Sequence, residues 1–148
     1  MRFYYAGIDP GKKGSLAIIY PDGTVHVSPL SEIQDLIVVL KALSKEHCRV
    51  CLEKVHSMPQ QGVSSTFTFG VQYGWIKGVL DACDISYQEI PPQRWKKEFG
   101  LNTDKQKSIE VCRQLFPTVS LRSSERCRVD DNNMAEAVLM AEYARRKL

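Results

Sequence analysis

A chain of 148 residues with 43% hydrophobic and 25% charged side chains has the make-up of one globular domain over residues 1–148, long enough to bury a core. No apolar run approaches bilayer length and no signal-peptide pattern opens the chain, since Asp9 and a lysine pair break the first apolar stretch, so a cytoplasmic setting without membrane attachment is expected. The net charge of +3 is uneven: residues 91–128 carry nine basic and four acidic side chains, which points to a polyanion partner, with a solvated basic face as the plainer alternative.

The chain opens with two β-rich runs, Phe3 to Ile8 and Ser15 to Tyr20, around a turn built from Pro10, Gly11 and Gly14. Asp9 stands where the first run enters that turn. A turn-starting role for its side chain is the simplest reading. Pro21-Asp22-Gly23 marks a second turn, so a third antiparallel strand is expected from Thr24 to Val27. Ser31 is a candidate cap for a helix with apolar residues at Ile33, Leu36, Ile37, Leu40 and Leu43. "CRVCLEKV" then reads as a nearly all-apolar central strand, with Glu53 towards its end.

A polar loop leads into a helical stretch in which Gly70, Gly74 and Gly78 recur every four residues along one face. Each costs roughly 0.8–1 kcal/mol against alanine, so close approach by a backbone, either the sheet or a symmetry mate, is expected there. "ISYQEI" is a fifth strand, "PPQRWKKEFG" opens on an N-terminal helical turn, and a helix capped at Thr103 runs to Pro117. "TVSLRSSERCRV" is a loop. The last helix follows "DDNN", with Arg and Lys at its end as the helix dipole favours. Three antiparallel strands followed by helix-separated strands predict an α/β fold, a five-stranded mixed sheet with helices on both faces.

Five cysteines, an odd number, fit reduced thiols. The Cys48–Cys51 pair lies on a predicted strand rather than at a helix start, and no second ligand pair stands at zinc spacing. The carboxylates are more informative. Asp9 ends the first strand, Glu53 ends the fourth, and Asp130, Asp131 and Glu136 mark the last helix. Acids at the ends of separate elements are how a fold assembles an oxygen-ligand site for a divalent cation, magnesium first. Packed together without one, they would raise each other's pKa.

The stretches "GIDPGKKGSLAII", "LEKVHSMPQQGVSSTFTFGVQYGWIKGVL", "PPQRWKK", "DKQKS" and "DDNNMAEAVLMAEYARR" together resemble the RuvC family of Holliday-junction resolvases, in the branch carried by bacteriophages, over nearly the whole chain. The resemblance implies an RNase H-like fold and a homodimeric, magnesium-dependent endonuclease that makes paired cuts in branched DNA, four-way junctions first and forks second. It implies two Mg2+ per site, with Mn2+ as a substitute, and no nucleotide cofactor. Asp9, Glu53 and Glu136 match the family's ligands. The fourth departs from the pattern: an acid normally lies three or four residues before the last one, where this chain has Asn133 and Asn132. Asp131 acting from the helix cap is the first choice. Asp130, a neutral Asn133 ligand, or an asparagine in place of an acid remain open, as does plain capping by Asp131.

Lys107, with Lys105 second, resembles the family's basic residue near the phosphate. Arg94, Lys96, Lys97, Arg122, Arg126 and Arg128 are expected to contact DNA phosphates, which position rather than read sequence. Phe67 and Phe69, expected at a loop-to-helix boundary, are candidates for stacking on an unpaired base, with core packing as the alternative. The Gly70/Gly74/Gly78 helix would be the dimer seam. A Walker phosphate loop is excluded by glycine spacing, and an actin-like ATPase by length. The surviving rival is a non-catalytic branched-DNA binder with an impaired metal site.

Overall fold

The computed structural model describes residues 1–30, 33–56 and 59–148, with Ile33 as backbone only. The Ser31 cap lies outside the described residues. The elements run β1 (Phe3–Asp9), β2 (Ser15–Ile19), β3 (Val25–Pro29), α1 (Ile33–Leu43), β4 (His47–Glu53), α2 (Val63–Ala82), β5 (Tyr87–Ile90), α3 (Pro92–Glu98), α4 (Lys105–Leu115) and α5 (Asn132–Lys147). The expected helical turn at "PPQRWKK" is therefore a helix of seven residues, started by Pro92, whose missing N–H is no loss at the first helical position.

The strands form one sheet in the order β3-β2-β1-β4-β5. β1 pairs antiparallel with β2, and β2 with β3, while β1–β4 and β4–β5 are parallel. The first turn needs its glycine: the Gly14 amide bonds the Gly11 carbonyl at 2.8 Å, and a Cβ on Gly14 would stand 2.1 Å from the Asp9 carbonyl oxygen. Close backbone packing within the turn itself makes the residue obligatory.

Strand alternation divides the core in two. Ala6, Ile8, Leu16, Ile18, Val50 and Leu52 face α1 and α2, where Leu36, Leu40, Ile76 and Leu80 cover them. Ala17, Ile19, Cys51 and Ile90 face the opposite layer, built from α5 with Trp95 of α3 and Ile109 and Cys112 of α4. The closest joint is at Gly7 of β1. A Cβ there would meet the Ala137 oxygen at 2.2 Å and the Ala141 nitrogen at 2.4 Å, so α5 can lie on β1 only because residue 7 has no side chain.

Two expectations need correction. α4 is capped by Asp104, not Thr103: the Asp104 backbone is extended (φ −74°, ψ 110°) and its carboxylate accepts the Gln106 amide at 3.0 Å. Thr103 lies one residue too early to reach the orphan amides. The glycine stripe of α2 does not face the sheet either. Among the described residues nothing stands within 4 Å of a Cβ on Gly70, Gly74 or Gly78, because Ile76 and Leu80 take the inward face. All five cysteines are free. Cys48 and Cys51 are three apart on a strand and point to opposite faces, so they cannot grip one ion together.

Candidate metal centre

Register brings the first two acids together. Ile8 pairs with Leu52 in the parallel β1–β4 ladder, so Asp9 and Glu53, the next residues, leave the sheet side by side on the α5 face. Close seating of α5 on Gly7 delivers Glu136, one residue before Ala137, above the same strand. Asp131 stands at the N-cap of α5, where its Oδ1 accepts the amides of Asn133 at 2.7 Å and Met134 at 3.1 Å.

Asp9 records the convergence. It is 7% exposed, and its Oδ1 accepts the Gly11 amide at 3.1 Å. Burial, followed by the nearby Glu53 charge and, more weakly, Glu136 and Asp131, pushes its carboxyl up to about 7 from 3.8; the Gly11 hydrogen bond offsets only part of that. Glu53 is also raised, chiefly by burial and further by Glu136. It is held back by the Trp95 hydrogen bond and by Lys96. Asp131 is thus electrically part of the group even while it caps the helix. Asp130 is occupied elsewhere: its Oδ2 accepts Arg113 Nε at 3.0 Å and Nη2 at 2.7 Å, and Arg122 Nε stands 3.9 Å from its Oδ1.

Each of the other acids has a partner of its own. Trp95 Nε1 donates to Glu53 Oε2 at 2.8 Å, and Lys96 Nζ lies 3.5 Å from Glu136 Oε1. Among the described residues, no three acidic, histidine or cysteine side chains stand in an arrangement ready to hold a metal ion. The donor set nonetheless fits one. Hard carboxylate oxygens, destabilised by burial and mutual repulsion, are what a small divalent cation neutralises. Among the described residues three buried side-chain oxygens have no hydrogen-bond partner: Ser15 Oγ, from the residue paired with Asp9 across the β1–β2 ladder, and Asp130 Oδ1 and Asn132 Oδ1, which flank Asp131 in the chain.

The basic residues fall into two groups. Arg94, Lys97, Lys105, Arg122, Arg126 and Arg128 are exposed. Lys107 is half-buried in the first turn of α4, and Lys96 is turned inward onto Glu136. Phe67 and Phe69 lie within the first two turns of α2, not at its boundary, because the helix begins at Val63. Phe67 is 72% exposed. Phe69 is half-buried, and its Cε2 lies 4.0 Å from where a Cβ on Gly11 would stand. Gln72 Nε2 also donates to the Gly11 carbonyl at 3.0 Å, which ties α2 to the turn after Asp9.

Three partners escaped the sequence reading: Trp95 on Glu53, Lys96 on Glu136 and Arg113 on Asp130. The first spans 42 positions and the third 17. No local pattern signals either.

Neither a protein-family model nor a curated protein sequence matches the chain. Solved structures do. Thermus thermophilus RuvC in complex with a Holliday junction substrate superposes with a TM-score of 0.65 at 14% identity, covering 99% of this chain and 97% of that one. A second structure of Thermus thermophilus RuvC gives a TM-score of 0.59 at 14% identity, over 93% and 90% of the two chains. The chain has a RuvC-like, RNase H-type fold. Its five-stranded mixed sheet and two helical layers are those predicted. No helix among the described residues is long and apolar enough to cross a membrane.

Proposed function

We propose that this protein is a metal-dependent, structure-selective endonuclease that resolves Holliday junctions and related branched DNA by paired phosphodiester hydrolysis. The observation that carries the reading is the convergence of acids from β1, β4 and α5 around Asp9, whose carboxyl is lifted to about 7 by burial first and by those neighbouring charges second. Support comes from the likeness to a RuvC bound to a Holliday junction. Asp9, Glu53, Glu136 and Asp131 would hold the cation pair, Mg2+ or in its place Mn2+. Bound there, the pair would supply an activated water and stabilise the leaving oxygen.

The chain's own residues do the rest. The Gly11 amide and the indole of Trp95 orient Asp9 and Glu53. Lys107, in the first turn of α4, is the candidate for contacting the scissile phosphate, with Lys105 beside it. Arg94, Lys97, Arg122, Arg126 and Arg128 offer an exposed basic surface for the DNA backbone. Lys96 is placed to serve DNA only if it leaves Glu136. Phe67, on the exposed face of α2, is available to an unstacked base. The open Gly70/Gly74/Gly78 stripe supports a homodimer across α2, whose two-fold axis would match that of a junction.

Incubation with a labelled four-way junction in Mg2+ or in EDTA tests the reading. Nicks in Mg2+ that vanish in EDTA are expected; a retarded but uncut junction in both overturns it. That second outcome belongs to the non-catalytic binder. One observation favours it: asparagine at position 133, with Asp131 already engaged in capping α5.

A further inference from the structure

Consecutive residues of α3 reach two different candidate ligands. Trp95, with no exposed surface, donates to Glu53 Oε2 at 2.8 Å. Lys96 sets its ammonium 3.5 Å from Glu136 Oε1 and 5.5 Å from the centre of the Trp95 ring. Glu53 ends β4 and Glu136 rides on α5, so α3 is a single piece of chain touching both.

The two contacts are of different kinds. An indole N–H enclosed by apolar side chains must find an acceptor, and separating it from Glu53 would leave a buried donor unpaired. The Trp95 ring is wedged in the core formed by α3, α4 and α5 and cannot follow the carboxylate if it turns. Lys96 is on a flexible stem with 28% of its side chain exposed, and has no such hold.

We propose that Trp95 is a positioning residue for the metal centre: its indole fixes one oxygen of Glu53, so that the carboxylate keeps a single orientation beside Asp9 and offers its other oxygen to a divalent cation. The inference rests on the metal-centre reading above. Outer hydrogen-bond partners of metal ligands commonly change metal affinity 10–100-fold when removed. The corresponding loss is expected here.

The chain has two tryptophans, Trp75 and Trp95. In a Trp75→Phe background the only indole N–H is therefore that of Trp95, and its 1H–15N resonance is expected to shift saturably as Mg2+ is added. Replacing that indole by the isosteric benzothiophene keeps the packing and removes the donor. Mn2+ affinity, measured by calorimetry, should then fall about tenfold with circular dichroism and Tm unchanged. Trp95→Phe should show the same loss together with a lower Tm, so a merely structural role is separated from positioning. If the Trp75→Phe protein binds Mn2+ and the benzothiophene protein binds it as tightly, the positioning role is overturned alone. If unaltered protein binds no Mn2+, the metal-centre reading falls and this inference with it.

Discussion

The two longest helices, α2 and α5, are both rich in small and apolar residues, and the fold uses them in opposite ways. From Met134 to Tyr143, α5 is buried at every position except Glu136, and its backbone rests against Gly7 of β1. Of twenty residues in α2, only Ile76 and Leu80 are buried, while Val63, Phe67 and Val71 join Gly70, Gly74 and Gly78 on an open face. One helix is a fixed, almost wholly buried platform, while the other leaves one face open. The lesson is that small residues in a helix mark close approach in one case and an unpartnered face in the other. Only the packing distinguishes them.

This contrast can be broken at several points. The largest effect is expected on the platform's own carboxylate: Glu136→Gln should lower junction cleavage by about a thousandfold, since ligand loss removes several kcal/mol of transition-state stabilisation. Single-turnover rates check it. Gly7→Ala should destabilise the fold by about 3 kcal/mol in urea titration, because a Cβ would press on backbone atoms of α5 that cannot swing away. An unchanged midpoint would mean that α5 is not seated as described.

A pH dependence of a few kcal/mol should come next. The folded-state pKa of Asp9 lies above its unfolded value of 3.8, at about 7. The folded protein therefore holds this proton more tightly, and that contribution is complete below about pH 4 and lost as pH rises through 7. In EDTA, unfolding titrations at pH 5 and pH 8 should show greater stability at pH 5 from this group. Asp9→Asn should flatten the difference.

The smallest effect belongs to α2. Gly74→Ala meets no neighbour and should stabilise the isolated chain by roughly 0.8–1 kcal/mol. If the open face seats a second copy, the same change should weaken self-association in sedimentation experiments. Loss of stability in the monomer would contradict the open face.

The sheet was legible because hydrophobic runs, two glycine turns and a nearly all-apolar central strand are local signals, and Asp9 and Glu53 at strand ends follow directly from them. The helical layer was harder to read. The glycines of α2 signalled close approach equally to sheet or partner, and their periodicity carries no sign of which. The first helical position of α4 hinged on whether Thr103 or Asp104 had the extended backbone, a one-residue difference that composition does not resolve. At the candidate site, Trp95, Lys96 and Arg113 find their carboxylates only through tertiary packing. The acids could be named from sequence, but the groups that hold them could not.

The most direct measurement is cleavage of a four-way junction carrying a phosphorothioate at the scissile position, followed in Mg2+ and in Mn2+. The account predicts slow cutting in Mg2+, restored in Mn2+, and none by Asp9→Asn in either, because a cation held by these carboxylates must touch the scissile phosphate. Cutting that is indifferent to the sulfur and to the metal, or that survives in the Asp9→Asn protein, would contradict it.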